Sequence, residues 1–389
     1  MSLAVYLHWP YCVSKCPYCD FNSHVREGVK LEPWHESLPA AITAQRQWLE
    51  SRGYEFKPVT SIFFGGGTPS LMPSKLVETL IDRVAREFTL ASDAEITLEA
   101  NPNSVEAEKF KAFAAAGVNR VSIGVQSFEA DGLKFLGRAH SQGEAMKAIE
   151  LAQAIFPRVS FDLIYGLPDQ SVADWQAQMA RALQMGTDHL SLYQLTIEQG
   201  TAFASAYGRG DFVMPSPELA ADLYEATEAA TAAAGIKAYE VSNYARVGQE
   251  SRHNLAYWNY DDYLGIGPGA HGRVSLPQKH ATRQEKLPET WLKSNLALNG
   301  GNCEVTAISR SDQFAETLMM GLRLVKGIDR ARFTRDMGMD IDQIIPTDRL
   351  NNLVEENYLL VTPEQFALTL SGRLRLNLIL DYLLEGSRI

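Results

Sequence analysis

Apolar residues in the first two hundred positions follow two rhythms in turn. Short runs rich in β-branched and aromatic residues stand at 3–9, 59–64, 95–100, 120–125, 159–165 and 189–195. Between them, 35–51, 73–88, 104–116, 143–156 and 172–185 repeat apolar residues three and four apart, the spacing of one helical face. Strand then helix over six units predicts parallel α/β structure. Ser104, and Ser171 ahead of Asp174, are placed to cap their helices.

After about residue 200 the alternation weakens. An Ala-rich amphipathic helix is predicted over 215–234, a strand over 237–244 and a polar turn over 246–252. Residues 275–288 are polar, Pro-flanked and without period, which predicts a loop; helical patterns return at 288–298 and 311–324. The tail, from about 327, holds short helical runs, two strand-like segments at 358–361 and 366–370, and a last helix at 372–384, an order resembling a small winged-helix-like α+β module. The expected division is 1–240 for the α/β unit, 241–310 for an extension, and 311–389 for the C-terminal module.

Polar and glycine residues collect at the C-terminal ends of the strands. The first runs into a cysteine-bearing loop, the second into Gly65-Gly66-Gly67-Thr68, the third into Glu99 and Asn101, the fourth into Gln126. The fifth carries Asp162, and the sixth ends at Gln194. In a β/α barrel that face builds the active site. Caps and turns account for any one of these residues, but not readily for two carboxylates and an amide at one mouth.

The chain has 389 residues, 46% hydrophobic and 21% charged, with a formal net charge of -11. The acidic balance argues against a nucleic-acid partner or an anionic membrane surface. No apolar stretch reaches bilayer length and the start lacks a leader pattern, so cytoplasmic residence is expected. Cys303 stands alone and is expected as a free thiol.

Cys12, Cys16 and Cys19 crowd one short loop as CxxxCxxC. Three thiols leave one unpaired as disulfides, and zinc would need a fourth ligand such as His8 or His24. Three thiolates suit a [4Fe-4S] cubane with one iron left open.

CxxxCxxC after a first strand resembles the signature of the radical S-adenosylmethionine (SAM) superfamily. Tyr6-x-His8-x-Pro10, the Cys-Pro-Tyr-Cys-Asp-Phe-Asn-Ser run at 16–23 and Gly-Gly-Gly-Thr-Pro-Ser at 65–70 resemble its oxygen-independent coproporphyrinogen III oxidase family, and within it the HemW branch of haem chaperones. The resemblance implies a partial (β/α)6 radical-SAM barrel, a cluster on the three cysteines, and SAM bound through its open iron. Reduction of that cluster would cleave a carbon–sulfur bond of SAM to give a 5'-deoxyadenosyl radical. It also implies a SAM site lined by Tyr6, Gly66, Gly67, Thr68, Glu99, Gln126, Arg138 and Asp162. The glycine run offers unobstructed N–H groups, the carboxylates accept hydroxyls or an ammonium, and Arg138 can pair with a carboxylate. Turn chemistry for the glycines and a solvated surface position for Arg138 are the plainer alternatives.

His253-Asn254-Leu-Ala-Tyr257-Trp258 resembles the HNxxYW motif associated with haem in the HemW branch. There His253 would be the axial ligand, Tyr257 and Trp258 the walls, and Arg252 or Arg273 the propionate partner. The alternative is a capped turn whose aromatics belong to the core. Two departures favour a chaperone over an oxidase. Phe21 stands where the oxidases carry a further cysteine, and Met1 lies five residues before Tyr6, where they carry a longer segment. The implied partners are haem as cargo and acceptor haem proteins, respiratory membrane-associated ones among them, with a homodimer left open.

Overall fold

The computed structural model describes residues 2–387. At its centre is β1 (Leu3–Trp9), buried at six of seven positions, as a strand covered on both faces must be. Five strands follow in parallel register: β2 (Val59–Gly66), β3 (Leu90–Ala100), β4 (Arg120–Gln126), β5 (Arg158–Tyr165) and β6 (His189–Gln194). The crossovers include α1 (Glu32–Ser51), α2 (Ser74–Glu87), α3 (Gln142–Ile155) and α4 (Val172–Gln184), with α5 (Pro217–Ala233) packed on α4. Ser171 and Asp174 form the expected capping box at the start of α4.

The sheet continues on both flanks and stays open. Beyond β6 lies an antiparallel hairpin, β7 (Lys237–Glu240) and β8 (Asn243–Ala245), where one strand over 237–244 was expected. On the free side of β1 comes β9 (Asp262–Ile266), a seventh parallel strand that the sequence pattern did not reveal. Then β10 (His271–Ser275), β11 (Lys279–Gln284) and β12 (Asn302–Ala307) run antiparallel, giving the order β12-β11-β10-β9-β1-β2-β3-β4-β5-β6-β8-β7. The expected loop over 275–288 is thus half strand, with β11 at its centre. The helix expected over 104–116 is two pieces, Ser104–Ala107 and Phe110–Ala115, and that over 288–298 is only the turn Pro288–Trp291.

A short helix, α6 (Arg252–Trp258), closes the end of the barrel opposite the mouth, against Ser61 early in β2 and Glu95 midway along β3. The C-terminal domain has its own core around Phe314, Leu318, Phe333 and Phe366. It comprises α7 (Arg310–Gly321), α8 (Arg330–Met337), α9 (Thr347–Glu355), α10 (Leu376–Leu384) and a three-stranded sheet of β13 (Ile328–Asp329), β14 (Leu359–Val361) and β15 (Gln365–Leu368). Ion pairs Arg323–Glu240 (3.0 Å), Arg332–Asp261 (2.8 Å) and Arg273–Glu316 (2.8 Å) dock it on the barrel. Among the described residues no helix is long and apolar enough to cross a membrane.

Candidate cofactor and cargo site

The cysteine loop is pinched at its base, where Tyr11–Cys12 pairs with His24–Val25. Glycine at the end of β2 is what lets the base sit there. A Cβ on Gly66, whose φ is +112°, would lie 2.8 Å from the Trp9 carbonyl, and one on Gly67 would lie 2.6 Å from that of Tyr11. Gly67 and Thr68 donate their N–H groups to those same carbonyls at 2.7 and 2.9 Å. The expectation that the run keeps its N–H groups for a ligand is therefore corrected for these two.

A hydrogen-bond chain links two of the sulfurs. The Thr68 hydroxyl donates to Cys12 Sγ (3.4 Å) and accepts from Asn101 Nδ2 (3.4 Å). Arg138 donates to Asn101 Oδ1 (2.6 Å), to the Gly124 carbonyl (2.8 Å) and to Cys16 Sγ (3.2 Å). Arg138 is thus half-buried beside the loop rather than a solvated charge. Burial pushes the Cys12 and Cys19 thiols up, and the neighbouring thiols add to it. Among the described residues no three His, Cys, Asp or Glu side chains close on a single ion. A cubane takes its thiolates on different irons, so a guanidinium and a hydroxyl turned toward separate sulfurs fit an anionic cluster. His8 is committed elsewhere: its ring nitrogens meet the Tyr6 hydroxyl (3.0 Å) and the Asn22 carbonyl (2.9 Å), and burial takes its pKa down to about 4.

From this loop a cavity of about 790 Å³ runs down the barrel to α6. Tyr6, Gly66, Glu99 and Asp162 line it together, with Ser122 donating to Asp162 Oδ1 at 3.2 Å. Burial lifts the Glu99 carboxyl to about 8, helped by the charge of Asp162 and opposed by the Gly66 N–H. Burial also lifts Asp162 to about 6, held back by Ser191, Ser122 and the Arg120 and Arg138 charges. Glu99 is thus largely protonated near neutrality until a cationic ligand draws the proton off. Gln126 holds φ at +71° and leaves its buried amide oxygen without a partner, a strained acceptor at the mouth.

The floor is different. His253 is 1% exposed, stacked on Phe63 at 4.7 Å, and both ring nitrogens are engaged, by Ser61 Oγ (3.0 Å) and the Tyr257 hydroxyl (2.8 Å). Burial and the Arg120 charge lower its pKa to about 3. The expectation of an open axial nitrogen is not met here; the ring is held as a core histidine. Trp258 lines the cavity under the Arg323 guanidinium, 4.4 Å from its ring. Arg252 pairs outside the cavity with Asp93 (2.8 Å), and Arg273 is clamped by Glu316.

The sequence reading did not single out Asn101 as the relay between the Thr68 and Arg138 contacts, nor Arg120, Ser122 and Ser191 in the cavity. The serines had a signal: each stands on a strand already placed in the barrel, Ser191 in register with Asp162 and Ser122 in register with Ser160, two residues before Asp162 on the same face. Cys303 is exposed and unpaired, as expected.

Residues 6–181 match the family model of the Radical SAM superfamily, and residues 308–375 that of the HemN C-terminal domain. The Escherichia coli protein named "Heme chaperone HemW" is 39% identical over 98% of both chains. A mouse protein, "Radical S-adenosyl methionine domain-containing protein 1, mitochondrial", is 42% identical over 84% of this chain and 74% of its own. Among solved structures, coproporphyrinogen III oxidase (HemN) from Escherichia coli superposes with a TM-score of 0.77 at 20% identity, covering 99% of this chain and 90% of that one, which is a likeness of fold.

Proposed function

The chain belongs to the HemW branch of the radical SAM superfamily, and from that premise we propose that it is a haem chaperone, binding haem and handing it to acceptor haem proteins. Membership implies a [4Fe-4S] cluster and SAM, which together supply one-electron chemistry when bound. In our reading Cys12, Cys16 and Cys19 hold the cluster. Tyr6, Gly66, Gly67, Thr68, Glu99, Gln126, Arg138 and Asp162 form the SAM side of the mouth, with Glu99 and Asp162 as acceptors and Arg138 also steadying the cluster loop.

The observation that supports carriage is the two-ended character of the cavity. Its barrel end is lined by carboxyls and hydroxyls suited to a nucleoside. Its outer end carries Phe21, Tyr260 and Tyr263 with Arg273, Arg283 and Lys286, a lining suited to a flat macrocycle with acidic arms. The test is titration of the anaerobically reconstituted chain with haem, followed by mixing with an apo haem protein. A saturable Soret change and transfer of the band to the acceptor are expected. Vinyl product from coproporphyrinogen III with SAM and reductant would instead establish the oxidase.

A further inference from the structure

A second cavity, of about 670 Å³, lies between the antiparallel strands and the C-terminal domain. Cross-strand register fixes what faces it. His271 stands opposite Arg283 and Arg283 opposite Glu304; two residues along, Arg273 stands opposite Ala281 and Ala281 opposite Thr306. Residues two apart on a strand share a face, so both rows look the same way, toward α7 and α10. Those helices supply Ala315, Met319, Leu380 and Leu384 as apolar lining, interleaved with Asp312, Glu316, Asn377 and Asp381. His271, Arg273 and Arg283 line this slot and the barrel cavity alike.

We infer that this slot is the haem seat, with His271 as the iron ligand and Arg283 as the partner of a propionate. The inference rests on the haem reading above and moves the macrocycle from the outer end of the barrel cavity into the adjoining slot, which shares His271, Arg273 and Arg283 with it. His271 is exposed, and its ring nitrogens make no hydrogen bond among the described residues, the reverse of His253. Partial desolvation of the ring on its slot side, then the Arg273 and Arg283 charges, lower its pKa from the ordinary value, with Glu304 opposing. Its backbone packs closely on β9, where a Cβ on Gly265 would lie 2.1 Å from the His271 carbonyl oxygen. Arg283 meets Glu304 at 2.8 Å in a half-exposed pair, which a propionate can replace at little cost. Met319, exposed on α7, is a compliant side chain against a macrocycle face. Binding forms one nitrogen–iron bond, displaces any weak axial ligand, and changes no oxidation state.

The test is haem titration of the full chain, wild type beside His271→Ala, His271→Tyr and Arg283→Glu. A histidine-ligated Soret band is expected in the wild type. His271→Ala should weaken binding by about tenfold, His271→Tyr should move the spectrum to that of a phenolate ligand, and Arg283→Glu should weaken binding with the ligand signature unchanged. A wild type that binds haem while His271→Ala and His271→Tyr leave the spectrum untouched overturns this seat alone. A wild type that does not bind haem overturns the haem reading with it.

Discussion

The floor of the barrel and the slot beside the C-terminal domain each present a histidine, in opposite chemical states. On α6 the ring of His253 is buried, stacked and doubly hydrogen-bonded; on β10 the ring of His271 is exposed with open nitrogens. A run dense in chemistry-bearing residue types can be scaffold, because polar side chains sealed in a core must satisfy one another. The ligand-ready residue lies in the plainer Gly-Ala-His-Gly-Arg stretch that follows.

The largest effect expected is at neither histidine. Cys16→Ala should abolish cluster iron and sulfide after anaerobic reconstitution while leaving the Soret titration in place. Loss of both together would show that mouth and slot are one site. His253→Ala should cost about 2–4 kcal/mol of stability, from a buried ring and two stranded hydroxyls, read as a lowered denaturant midpoint. A His253→Ala chain as stable as wild type would erase the contrast with His271.

Acidity separates groups within the barrel cavity itself. His253 and His8, held neutral at about 3 and about 4, bind fewer protons folded than unfolded, so stability falls as pH drops below the ordinary histidine range. Glu99, lifted to about 8, has the opposite sign: the folded state holds the extra proton, and stability falls as pH rises from the ordinary carboxylate range to about 8. Above the histidine range the Glu99 slope remains. Glu99→Gln should therefore flatten the decline of the ligand-free chain between about pH 6.5 and 8, measured by denaturant unfolding across that range. The smallest effect is His271→Ala on stability, within about 0.5 kcal/mol, despite its expected effect on haem.

Six strands were legible because each carries a short apolar run, and Glu99, Gln126, Asp162 and Gln194 because a polar residue inside or at the end of such a run stands out from it. β11 was not, since Lys-His-Ala-Thr-Arg-Gln turns Arg283 to a cavity and buries Lys279 on Asp262 at 3.0 Å; satisfied polar groups hide the strand's period. β9 was missed because its five residues follow α6 closely and its partner, β1, lies at the far end of the chain. The glycine run was placed correctly, but the carbonyls its N–H groups meet, on Trp9 and Tyr11, appear only once the loop is folded against it.

That β1 lies between β2 and β9 has a consequence during synthesis. One edge of β1 gains its partner early in synthesis, but the other waits for Asp262–Ile266. At ordinary elongation rates that interval is roughly 13–50 s, during which a buried, apolar strand offers unpaired backbone to any neighbour. The nascent chain should thus need that edge shielded until β9 emerges.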